Sequence, residues 1–336
     1  MIPIKGYATF DTLKHCWIGS AFKIEWFENT PFYKNDKIMS PLKRIAEETE
    51  QDFQMLEKLL NKAGVQTYRS WPDMDKIGSL KNLYRPMVNP RDNFAVIGEK
   101  LYAVSGRDVR GCKDVLKQID RKNLHIEMLQ TEGLSTAEIV RVGQDLFWDH
   151  PEYKENFDSA TITKYKKMWE AEGFRVHMSS RGYHSDASFC VVKPGCIVSL
   201  YDIQDYAKEF PGWDVLYLPD QSWKKLHPFR KITEKVGGRW WIPGEEDNDK
   251  LIAFVNEWLN DWVGYVEETV FDVNMLSLDQ NTIICNNYNK EVFDHFKKHK
   301  VEPVIFNFRH RYFWDNGVHC ITQDLYREGT MEDYFG

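Results

Sequence analysis

The chain has 336 residues, of which 42% are hydrophobic and 14% aromatic, and a formal net charge of −7. That is enough apolar material for a large core. The negative balance, with no basic tract, argues against a nucleic-acid partner, and no run of about 18 apolar residues suggests a membrane span. The six cysteines, at 16, 112, 190, 196, 285 and 320, form no CxxC pair and show no ligand-spaced Cys/His cluster for zinc, so no metal is expected. The opening MIPIKGYATF lacks the basic-then-apolar order of a signal peptide, and the reading is a reduced, cytoplasmic protein.

In chain order, His15–Ser20 reads as a strand and Pro41–Ala63 as a helix, with Leu42, Ile45, Phe53, Leu56 and Leu60 at helical spacing. Val65–Ser70 is a single strand. Asn93–Val104 is a hairpin turning at Gly98-Glu99-Lys100, followed by a short helix over Cys112–Asp120. Ala137–Asp149 repeats the hairpin around Gly143-Gln144-Asp145, with a helix at Thr161–Glu172 and a strand at Phe174–Ser179. Ser188–Leu200 turns at Lys193-Pro194-Gly195 and is followed by the strand Trp213–Leu218. The amphipathic stretch Asp249–Val263 and the aromatic loop Gly238–Lys250 belong to an extra segment, roughly 222–262. Asn274–Asn286 is a fourth hairpin, with a helix at Lys290–Lys298 and a strand at Val301–Phe308. Val318–Leu325 then pairs with His15–Ser20 to join the termini.

Hairpin, helix, strand is therefore a repeated unit, visible four times and closed by a fifth element. A period of about 45–75 residues suggests a propeller rather than a doubly wound sheet. Residues at the starts of the hairpins would converge on its axis: Asp92, the stretch Ser135 to Glu138, His184 with Asp186, and Cys320. Each has a bland reading: Arg91 and Asp92 as a surface-paired turn, His184 and Asp186 as an exposed strand face, Cys320 as a packing residue. His319 should point away from Cys320 if the segment is extended.

Converged, these groups suit one chemistry. Two carboxylates raise a thiol's pKa unless the substrate is itself a cation, and a planar guanidinium offers a fork of donors that Asp92 and Asp186 could grip. Cys320 would attack the guanidinium carbon, and His184 would protonate the departing nitrogen and then deprotonate the next nucleophile. Attack by an amine gives an amidinotransferase; attack by water gives a deiminase.

The chain resembles the amidinotransferase branch of the guanidino-group-modifying (pentein) superfamily. The resemblance rests on FDTLKHCWIGSAF, PRDNFAVIG, HSDASFCVVKPGCIVS and NGVHCITQDLYREGTMEDYF, which follow in order from about residue 7 to 335. It implies a pseudo-fivefold α/β propeller of ββαβ modules in one catalytic domain over 1–336. It implies transfer of an amidino group from arginine, or an arginine-like donor, to an amine such as glycine, through an amidino-Cys320 intermediate and without a cofactor. Carried over by position, His184 is the general acid/base, and Asp92 and Asp186 bind the guanidinium. Dimers are usual among such proteins.

The departures are specific. Ser135 stands where the family has the carboxylate that orients the catalytic histidine, and Glu138 or Glu132 would have to replace it. The family's carboxylate-binding Arg after the third hairpin is missing, with Arg181 as a replacement, and Glu267-Glu268 stand in place of paired serines. The loss of positive charge points toward a cationic amine acceptor. A deiminase-type hydrolase of agmatine or arginine, and a catalytically silent guanidinium-binding protein, are the alternatives.

Overall fold

The computed structural model describes residues 1–71, 85–104, 112–127, 136–149, 160–179, 184–200, 206–219, 226–266 and 269–336. Fifteen strands lie in the described part: β1 (Thr12–Ile18), β2 (Gln66–Arg69), β3 (Ala95–Ile97), β4 (Lys100–Val104), β5 (Leu124–Glu127), β6 (Ile139–Val142), β7 (Asp145–Asp149), β8 (Arg175–Ser179), β9 (Phe189–Lys193), β10 (Cys196–Leu200), β11 (Asp214–Leu218), β12 (Leu276–Ser277), β13 (Thr282–Cys285), β14 (Glu302–Ile305) and β15 (Thr322–Glu328). The helices are α1 (Asp36–Lys62), α2 (Lys113–Leu116), α3 (Ala160–Ala171), α4 (Tyr206–Glu209), α5 (Asp249–Trp258), α6 (Lys290–Lys298) and α7 (Arg311–Trp314).

The strands form five three-stranded sheets, ordered β15-β1-β2, β3-β4-β5, β6-β7-β8, β9-β10-β11 and β12-β13-β14. In every sheet the first pair is antiparallel and the third strand is parallel to the second. A parallel neighbour requires a crossover, and a helix supplies it. The result is five ββαβ modules, the first of which joins the two ends of the chain through β1 and β15.

Four modules begin with a single 3-10 turn just before their first strand, at Pro90–Asp92, Thr136–Glu138, Ser185–Ala187 and Thr269–Asp272. These turns hold the ring together. Thr136 Oγ1 donates to the Arg91 carbonyl at 2.7 Å, and Ser185 Oγ to the Glu138 carbonyl at 2.6 Å. Asn274 Nδ2 donates to the Asp186 carbonyl at 3.2 Å. Arg91 Nε donates to the Thr322 carbonyl at 3.1 Å, and the Val318 amide to Asn286 Oδ1 at 2.7 Å, which closes the circle. Each module thus satisfies a buried polar group of a neighbour, as an interior position requires.

Beneath the turns lies a buried ionic cluster. Asp324 on β15 accepts from Arg91 Nη1 at 2.6 Å, from Arg327 Nε at 2.6 Å and from Arg141 Nη2. The guanidinium of Arg327 also donates to the carbonyls of Asp11 and Ser277, and that of Arg141 to the Val96 carbonyl. Burial opposes ionisation of Asp324, but the three guanidinia outweigh it and hold the carboxyl well below its ordinary value. Arg91 is therefore a buried strut between modules and not half of a surface ion pair.

Three helix boundaries differ from the sequence reading. Helix α1 begins at Asp36, so Pro41 lies inside it. Proline cannot donate to the Lys37 carbonyl; Asn248 Nδ2, at the start of α5, donates to it instead at 2.7 Å. Helix α2 is confined to four residues, because Ile119 pairs with Ile2 and the Ile2 amide donates to the Gln118 carbonyl. Helix α5 stops at Trp258.

Within the extra segment, the described residues 226–262 pack on α1 in the largest apolar cluster, with Trp240, Leu251, Val255 and Trp262 buried against Leu42, Ile45 and Phe53. Burying side chains of this size contributes about 1.5–3 kcal/mol each. The aromatic loop is anchored: Trp241 donates its amide to the Tyr312 carbonyl and its indole N–H to Glu246 Oε1. Among the described residues no helix is long and apolar enough to cross a membrane.

Candidate active site

Cys320 does not lie on a strand. Residues 318–321 form a turn, and β15 starts only at Thr322. The cause is local: the Ile321 amide bonds to the Gly317 carbonyl at 3.2 Å, and Thr322 Oγ1 to the Val318 carbonyl at 2.8 Å. A hydroxyl at Thr322 offers the backbone an alternative to strand pairing. The turn overturns the expectation that His319 faces away. His319 and Cys320 meet on one carboxylate: His319 Nδ1 lies 2.8 Å from Asp186 Oδ2, and Cys320 Sγ donates to the same oxygen at 3.4 Å.

Asn274, at the entry to module 5, organises the turn from the other side. Its Oδ1 accepts from the amides of His319 at 3.0 Å and Cys320 at 3.3 Å, and its Nδ2 donates to Cys320 Sγ at 2.9 Å. Gly317 is required by this approach, since a Cβ there would run into the Asn274 side-chain oxygen.

The other predicted residues arrive on the module turns. Asp186 sits in the turn Ser185–Ala187, with His184 as its leading residue, and Asp92 in the turn Pro90–Asp92. Asp92 accepts from Asn89 Nδ2. Cys320, Asp186 and Asp92 are all more than nine-tenths buried, and His184 is half-buried. Burial pushes the Cys320 thiol well above its ordinary value, and the charges of Asp186 and Asp92 push it further, while the Asn274 hydrogen bond acts the other way. For Asp186, burial acts upward, but the hydrogen bond and charge of His319, with His184 and Arg91, outweigh it and keep the carboxyl below its usual value. Burial and Arg91 lower His319, while the hydrogen bond and charge of Asp186 act the other way. The arrangement is a protonated thiol on an ionised carboxylate, poised to change when a cation enters.

Glu138 is buried in the turn of module 3, where its carbonyl accepts from Ser185 and its Oε2 accepts from Trp148 Nε1 at 3.3 Å. It therefore lies beside the segment that carries His184. Ser135, Glu132, Arg181, Glu267 and Glu268 lie outside the described residues. Sequence reasoning missed Asn274, which is an ordinary asparagine near a hairpin until module 5 is docked on the Cys320 turn. It also missed a group of donors away from this site: Cys196, His295 and His299, whose ligand atoms lie within 4.8 Å of one another.

No family model matches the chain. Among curated proteins it is 19% identical over 203 residues to the L-arginine:L-lysine amidinotransferase of Pseudomonas savastanoi pv. phaseolicola, covering 59% of this chain and 45% of that protein. It is 22% identical over 206 residues to the mitochondrial glycine amidinotransferase of Xenopus laevis, covering 59% and 40%. These matches span less than half the length of each relative. Among solved structures, an amidinotransferase of the saxitoxin biosynthetic pathway from Microseira wollei superposes with a TM-score of 0.71 at 18% identity, over 99% of this chain and 100% of that one. The five ββαβ modules form a pentein-type α/β propeller, and in sequence and architecture the chain is similar to amidinotransferases.

Proposed function

We propose that the chain is an amidinotransferase that moves an amidino group from arginine, or an arginine-like donor, to an amine acceptor such as glycine, through a covalent amidino-Cys320. The observation that carries this reading is that two carboxylates, Asp186 and Asp92, both disfavour the Cys320 thiolate. A bound guanidinium cancels their charge, so the nucleophile becomes active only with its substrate present.

In this mechanism Asp92 and Asp186 hold the guanidinium, the Cys320 thiol gives its proton to His184, and the freed sulfur attacks the guanidinium carbon. The bond to the alkyl nitrogen breaks as His184 gives that nitrogen a proton, and the donor leaves as an amine (ornithine, if arginine was the donor). His184 then takes a proton from the acceptor amine, which attacks the amidino carbon. The C–S bond breaks and the thiol is restored. Glu138 is the carboxylate that orients His184, taking the role for which Ser135 is unsuited. Asn274 and His319 hold the nucleophile's turn and the Asp186 carboxylate.

Incubation with arginine labelled at the guanidino carbon, with and without a panel of amines, tests the reaction. Label in an amine, with ornithine as co-product, supports the transfer. Labelled citrulline without an acceptor would make the protein a deiminase-type hydrolase. Retained binding with no product from any donor or acceptor would make it a silent guanidinium-binding protein.

A further inference from the structure

Cys196 begins β10 and is paired in parallel register with Asp214, the first residue of β11. On the adjoining module, α6 carries His295 in its last turn and His299 at its C-terminal cap, one helical turn apart on one face. Docking of α6 beside β11 brings the two histidines onto this edge. The ligand atoms of Cys196, His295 and His299 lie within 4.8 Å of one another. Asp214 Oδ2 lies 2.7 Å from His299 Nε2 and 3.8 Å from His295 Nδ1.

A second observation points to a missing ligand. His295 is more than nine-tenths buried; its ring interacts with the Ile197 backbone and its Nδ1 faces Asp214, but its Nε2 makes no well-formed hydrogen bond. A buried imidazole without well-formed hydrogen bonds is costly, and a metal ion is one group that offsets the cost. The thiol of Cys196 is fully buried, and burial with the charge of Asp214 pushes it up to about 12 against the weaker opposing charges of Lys193 and Lys298. Burial also lowers His295, so its ring is neutral and free to coordinate.

We propose that Cys196, His295 and His299, with Asp214 at the fourth position, bind a divalent transition-metal ion of the zinc type. One thiolate with imidazole and carboxylate donors in a compact, partly buried set suits zinc rather than magnesium or calcium. Tetrahedral coordination places such atoms roughly 3.5 Å apart, so the side chains must close by about an ångström. Lys298 Nζ, which bonds Asp214 at 2.5 Å and is largely exposed, swings into solvent when the metal takes its place. Cys196 loses its proton on binding, and the ion joins modules 4 and 5 through side chains alone.

The site is separate from the proposed chemistry. Asp186 precedes β9, whereas Cys196 lies across the hairpin from Lys193 at the far end of that strand. The five extended residues of β9 alone put its two ends roughly 15 Å apart. The metal's role is therefore structural, and it acts on the ring's closure rather than on Cys320.

The test is a titration of the full chain, stripped with a chelator, using Co²⁺ alone. The expected result is one equivalent bound, with tetrahedral visible bands and a thiolate-to-cobalt charge-transfer band in the near ultraviolet. Cys196→Ser should remove the charge-transfer band. His299→Ala, at a partly exposed position that should not disturb folding, should weaken binding by at least about tenfold. Zn²⁺ should raise the melting temperature of the wild type and not that of His299→Ala. Absence of stoichiometric binding would overturn the proposal. So would a charge-transfer band that survives Cys196→Ser and disappears in Cys320→Ser, which would place the ion at the other cysteine.

Discussion

The Asn274 side-chain amide clamps the turn of Cys320: its oxygen accepts the Cys320 amide at 3.3 Å while its nitrogen donates to the Cys320 sulfur at 2.9 Å. One residue of module 5 thus fixes both the backbone and the thiol of module 1. Asn274→Ala should lower the rate of amidino transfer by about 10²-fold, the scale of an ångström-level displacement of a reacting atom. Asn274→Asp keeps the shape but replaces the donor with a third negative charge. It should raise the thiol pKa further and be no more active than the alanine variant. Initial rates alongside thermal melts separate the two effects.

Asp186 and Cys320 give a prediction of opposite sign for two readouts. Burial and the Asp186 charge both hold the thiol above its ordinary pKa. Asp186→Asn removes the charge, so the thiolate forms at lower pH. The rate of alkylation by neutral iodoacetamide should then rise at fixed pH, with its pH profile displaced downward, while amidino transfer collapses for want of a guanidinium partner. An unchanged alkylation profile would mean that Asp186 does not face the sulfur as described.

Glu138 is predicted to act through His184. Glu138→Gln keeps the hydrogen bond from the Trp148 indole but not the charge. The expected loss is about 10–100-fold in kcat with little change in KM for the donor, as for other groups that orient a working histidine. The pH–rate profile should also shift, a change that a purely structural role would not produce.

Much of this arrangement was legible in the chain itself. Period-two hairpins with Gly, Asn or Pro turns, separated by helical stretches, gave the repeat, and the repeat predicted which residues would converge. What the sequence hid was set by contacts between modules. Asn274 becomes special only when module 5 meets the Cys320 turn. His319 turns toward Asp186 because residues 317–322 bond among themselves, which no alternation of apolar residues reveals. Pro41 reads as a helix start, yet α1 runs through it, since the carbonyl that proline leaves unpaired is satisfied by Asn248, more than two hundred residues away. The Cys/His cluster has no local sequence signature, because His295 and His299 lie about a hundred residues from Cys196.

The buried cluster at the axis sets an acid limit on stability. The carboxyl of Asp324 has a folded pKa well below its unfolded value, held there against burial by Arg141, Arg91 and Arg327. A depressed carboxyl stabilises the fold above its unfolded pKa, about 4, and that contribution drains as pH falls toward the folded value. Asp324→Asn leaves three buried guanidinia without their shared anion, and should cost about 3–5 kcal/mol at neutral pH. Denaturant melts of the two proteins from neutral to acid should show the gap narrowing below about pH 4. A gap constant with pH would show that the aspartate is not charged in the fold.

The most direct test of the central claim is intact-mass and peptide-level mass spectrometry of the protein, acid-quenched during turnover with guanidino-¹³C-arginine in the absence of any amine acceptor. The account predicts a labelled amidino group on Cys320, absent in Cys320→Ser and discharged when an acceptor amine is added. Turnover that continues in Cys320→Ser, or label carried by another residue, would contradict it.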